Sequence, residues 1–96
     1  LEVYVTGRNR VDWAFLRRAQ LARRVYQEAL EATDTFEGPL GTMMVYLLGA
    51  ILKGNYAEIR MDNVEGNEVH QLLSGIFPAE HPVWAYIEVT NESEEN

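Results

Sequence analysis

There is no cysteine in these 96 residues, which excludes a disulfide scaffold, a thiolate zinc site and a cysteine nucleophile. Histidine is almost as scarce. His70 and His81 stand eleven apart, with no HxH, HxxxH or HExxH spacing, so neither a metal site nor a cofactor is expected. Ser74 sits in LLSGIF rather than in a GxSxG elbow, and without a base near it in sequence the balance leans away from an enzyme. Long apolar runs are missing too. The greasiest stretch, residues 40–52, has ten hydrophobic residues in thirteen, whereas a membrane span needs about 20. The chain opens on Leu1 rather than methionine, as a trimmed or processed chain would, and its LEVYVTG start lacks the charged head and apolar core of a signal peptide. A soluble, cytoplasmic protein with no membrane partner is expected.

What is present supports one small domain. With 47% hydrophobic and 10% aromatic residues, the chain can bury a core, and its length leaves no room for a second one. A single globular domain is expected over residues 1–90, with a flexible acidic tail at 91–96.

Hydrophobic periodicity divides that domain into six elements. In residues 1–6, Leu1, Val3 and Val5 alternate with Glu2, Tyr4 and Thr6, the period-two pattern of a half-buried strand. Residues 11–32 contain neither Pro nor Gly and are rich in Ala, Leu, Arg, Gln and Glu, which predicts a long helix. Val11, Phe15, Ala19, Ala22, Val25, Tyr26 and Ala29 form its apolar stripe. After the break at residues 33–38, Gly38-Pro39 opens a second helix ending at Lys53, with Gly54 as the stop; Asp34 and Glu37 offer an earlier capping box. Residues 56–61 alternate again. Asp62 with Glu65 then looks like a capping box for a short helix, ending at Ser74 before Gly75. Residues 83–89 form the last predicted strand, with Trp84, Tyr86 and Glu88 on its outer face.

The expected fold is therefore α+β, a two-layer sandwich in β-α-α-β-α-β order. Its small mixed three-stranded sheet carries helices on one face. The hairpin of helices makes the first two strands antiparallel, and the single intervening helix makes the last two parallel.

The net charge of −7 conceals a division. Six arginines fall before residue 25 against two acids, giving +4 there and −11 in the remainder. Arg10, Arg17 and Arg24 recur every seven residues and share one helix face. The plain reading is a solvated face paired with the chain's own acids, such as Glu28 four residues beyond Arg24; the sharper one is a basic strip for nucleic acid or an acidic partner. Arg18 projects into the apolar stripe, with its stem on the core edge and its head toward water, or into a pocket or subunit interface. Thr6, Gly7, Arg8, Asn9 and Arg10 link a strand to a helix N-terminus, where a small anion could bind, although the segment matches neither GxGxxG nor a Walker loop.

Tyr4, Tyr56, Trp84 and Tyr86 all fall on the predicted outer sheet face, with Arg60 among them. Interleaved Glu2, Glu58 and Glu88 oppose phosphate there, which favours a protein partner or self-association over nucleobases. The leading functional expectation is a small acidic, non-enzymatic interaction module (a regulator, inhibitor or adaptor), homodimeric or bound to an unidentified protein partner. The alternatives are nucleic-acid binding along the arginine helix, and a binder or enzyme of a small anion at Thr6–Arg10. The long first helix supports self-association. It would measure about 33 Å, against about 20 Å for strands of six residues.

Overall fold

The computed structural model describes residues 12–34 and 36–91. Their order is helix α1 (Trp13–Thr33), helix α2 (Gly38–Lys53), strand β1 (Ala57–Arg60), helix α3 (Val64–Ile76), a 3₁₀ turn (Pro82–Tyr86) and strand β2 (Ile87–Thr90). The fold is mixed α+β. Among the described residues the sheet has two strands, not three; the expected first strand, residues 1–6, lies outside them, as does the acidic tail beyond Asn91.

Local chemistry sets the helix limits. Asp12 caps α1 by accepting from the Phe15 N–H at 3.1 Å, and the helix closes at Asp34, whose N–H returns to the Leu30 carbonyl. Pro39 falls in the first turn of α2, where a missing N–H costs nothing. Glu37 is the capping residue and makes no side-chain cap, so the Asp34–Glu37 capping box does not form. Gly54 ends α2 in the left-handed region, at φ 78°.

The start of α3 corrects the sequence reading by one residue. Asn63 is the cap, accepting from the Gly66 N–H, while Asp62 pairs with Arg60 at 2.8 Å. Gly75 does not stop the helix, which continues to Ile76. Gly66 is indispensable for a steric reason. A Cβ there would stand 1.7 Å from the Arg60 carbonyl oxygen, so the first turn of α3 can approach the end of β1 only without a side chain.

β1 and β2 are parallel, as expected, with Ala57 opposite Ile87 and Arg60 opposite Thr90. The second strand is shorter than its alternation suggests. Val83 to Tyr86 form a 3₁₀ turn because three groups compete with a ladder. Pro82 supplies no N–H, His81 Nδ1 accepts from the Val83 N–H at 2.9 Å, and the Trp84 indole donates to the Pro78 carbonyl at 2.9 Å.

The core joins Ala22, Val25 and Ala29 of α1 to Met44, Leu47 and Ile51 of α2, Val69 and Leu73 of α3, Phe77, Val83 and the inward strand residues Ala57, Ile59 and Ile87. Helix α2 lies deepest. Its exposed strip is Thr42, Val45, Tyr46 and Lys53. No described helix is long and apolar enough to cross a membrane.

Candidate functional site

Of the residues singled out from sequence, Tyr4, Thr6, Gly7, Arg8, Asn9 and Arg10 lie outside the described residues. The others do not assemble as the alternation implied. Trp84 and Tyr86 belong to the 3₁₀ turn and pack, half-buried, against the core. The Trp84 ring sits 5.7 Å from His70. Tyr56 precedes β1 and is well exposed. The outer face of the two strands is polar: Glu58, Arg60 and Glu88 are exposed, and Thr90 Oγ1 donates to Glu58 at 3.3 Å. The aromatic outer face is corrected accordingly, because the turn chemistry removes Trp84 and Tyr86 from the strand.

The arginines divide by role. Arg24 is held by Glu28 at 3.1 Å, the intrahelical partner expected from spacing, whereas Arg17 and Arg23 are exposed. Arg18 turns inward. Its Nε donates to the Leu52 carbonyl at 3.3 Å, and its guanidinium lies against Gly54. There it meets the negative end of the α2 dipole and an otherwise orphan carbonyl. That contact answers the question its position in the stripe raised.

Sequence reasoning missed the tie between α1 and the turn before β2. His81 is buried, and its Nε2 lies 2.8 Å from Glu28 Oε1. Because Nδ1 accepts from the Val83 N–H, Nε2 carries the proton toward Glu28. Burial works against the Glu28 charge, but hydrogen bonds from Arg24 and His81 outweigh it and hold the carboxyl below its usual range. The sequence signal was slight: one histidine between Glu80 and Pro82, in a loop too irregular to suggest a partner on a distant helix.

Two further surface features stand out. One is the start of α1, where Trp13 is 66% exposed and Phe15 and Leu16 are exposed with it. Burial on this helix begins only at Ala22. The second is an open cleft of about 510 Å³ between the first half of α2, β1 and the start of α3, lined by Pro39, Met43, Tyr46, Ile59 and Val69 among others. A smaller groove of about 390 Å³ brings His70 and Ser74 together beside Trp84, with no acidic residue in its lining. Among the described residues, no three His, Cys, Asp or Glu side chains gather as a metal ion requires. No family model, no curated protein and no solved structure matches this chain.

Proposed function

We infer that this protein is a small acidic interaction module that acts without catalysis, associating with a second copy of itself through the exposed start of α1. The carrying observation is the exposure of Trp13, Phe15 and Leu16, three large apolar side chains within the first turn of α1. Large aromatic and aliphatic side chains left exposed in this way are enriched at contact surfaces. The arginine side of α1 is a weaker candidate for nucleic acid, since Arg24 is neutralised by Glu28 and Arg18 is spent on α2.

Sedimentation equilibrium tests the reading. The intact chain is expected to move from 11.0 kDa toward twice that mass as its concentration rises into the high micromolar range. Trp13→Glu holds it at the monomer mass without unfolding it. A wild-type chain that stays monomeric throughout contradicts the proposal.

A further inference from the structure

Among the described residues, His81 is the one buried polar side chain, and both of its ring nitrogens are in use. Nε2 reaches Glu28 on α1 at 2.8 Å. Nδ1 accepts from the Val83 N–H at 2.9 Å, the bond that caps the 3₁₀ turn. The ring lies 4.9 Å from that of Phe77 at the end of α3, and Val83 is itself fully buried.

These two bonds make opposite demands on the imidazole. A neutral ring satisfies both, since one nitrogen donates while the other accepts. A protonated ring donates from both nitrogens. Toward Glu28 the added charge strengthens the bond. Toward Val83 two N–H groups would face each other, and a buried N–H without an acceptor costs as much as a lost hydrogen bond. Turning the ring over gives no relief, because the cation carries no acceptor on either side.

We propose that proton uptake by His81 opens the start of the 3₁₀ turn, exchanging the Val83 cap for an ion pair with Glu28, so that the turn is a pH-sensitive device between α1 and β2. The movement reaches Trp84, whose N–H bonds to the His81 carbonyl at 3.1 Å and whose indole walls the groove beside His70. The surrounding charges are few. On α1, Glu28 favours the cation, Arg24 offsets it through the same carboxylate, and Glu31 is exposed one turn on. On α3, His70 lies against Trp84, while Glu65 and Glu68 belong to its first half. The charged residue of α2 is Lys53, at its exposed end, and Glu80 and Glu88 beside the turn are exposed.

This device is independent of self-association through Trp13. Amide hydrogen exchange, read by NMR on the intact chain, tests it without any substitution. Histidine changes charge within about pH 5–8, so exchange is compared across that range, each rate taken relative to an unstructured peptide at the same pH. Val83 protection is expected to fall about tenfold as the His81 ring signals report proton uptake, while Leu47 in the core keeps its protection. His81→Asn retains an acceptor for the Val83 N–H, in the manner of an Asx turn, but takes up no proton, and is expected to hold Val83 protection level. His70→Gln is expected to leave the fall in place. Val83 protection that stays constant while His81 gains its proton overturns the proposal. So does a His81 ring that stays neutral until Leu47 loses protection, or an equal fall in His81→Asn.

Discussion

The two halves of α1 share a helix but not a fate. From Ala22 onward the helix buries Ala22, Val25 and Ala29 and holds the turn before β2 through Glu28 and His81. Before Ala22 it exposes Trp13, Phe15 and Leu16, and its one hydrogen bond to another described element is Arg18 to Leu52. The contrast shows that an apolar stripe does not decide its own burial. What lies beneath it does: α1 packs on α2, whose end at Lys53 lies beside Arg18, so the residues of α1 before Arg18 run past that support.

Substitution of a like kind in each half gives the largest expected contrast. Val25→Asp places an unpaired charge in the core and is expected to cost more than about 4 kcal/mol, in effect unfolding the chain in urea titration. Leu16→Asp is expected to change monomer stability by less than about 0.5 kcal/mol while weakening association. Next in size is the tie made by the buried half. His81→Ala removes two hydrogen bonds, one at each ring nitrogen, and is expected to cost about 2–3 kcal/mol. The exposed half has a smaller equivalent: Arg18→Met keeps the stem but loses the Leu52 contact, for about 1 kcal/mol by the same titration.

Acid sharpens the comparison further. Glu28 has its carboxyl depressed in the fold, so its contribution is present above the unfolded value of 4.5 and is lost as pH falls through the lower folded value. Glu28→Gln is therefore expected to flatten the fall in stability below pH 4.5 in urea melts at stepped pH, leaving stability changes with pH from other groups intact. The smallest effect is expected where the buried half ends. Asp34 sits at φ 68°, with an acid at the negative end of the helix, and Asp34→Gly is expected to raise stability by about 0.5–1 kcal/mol in thermal melts.

Much of this architecture was legible because its signals were local. Helix composition, Pro39, Gly54 and the Arg24–Glu28 spacing each needed only neighbours in sequence, and the parallel pairing of β1 and β2 followed from the single helix between them. The 3₁₀ turn was not legible. In Val83-Trp84-Ala85-Tyr86 an alternating pattern is equally a strand or a turn, and the decision lay with the side chains of His81 and Trp84, which bond to backbone groups nearby. The aromatic face was lost for the same reason. Glu28 with His81, and the cleft beside β1, are products of packing between distant segments, to which periodicity is blind. The overhang of α1 was readable in advance from lengths alone, although Trp13 was not picked out as its tip.

The central claim, that the exposed start of α1 is a contact surface, is tested most directly through Trp13 itself. In a Trp84→Phe variant, Trp13 is the sole indole, and its emission reports its surroundings. Recorded from low to high micromolar protein, it is expected to shift to shorter wavelength in step with the rise in mass. Emission that does not change with concentration would contradict the account.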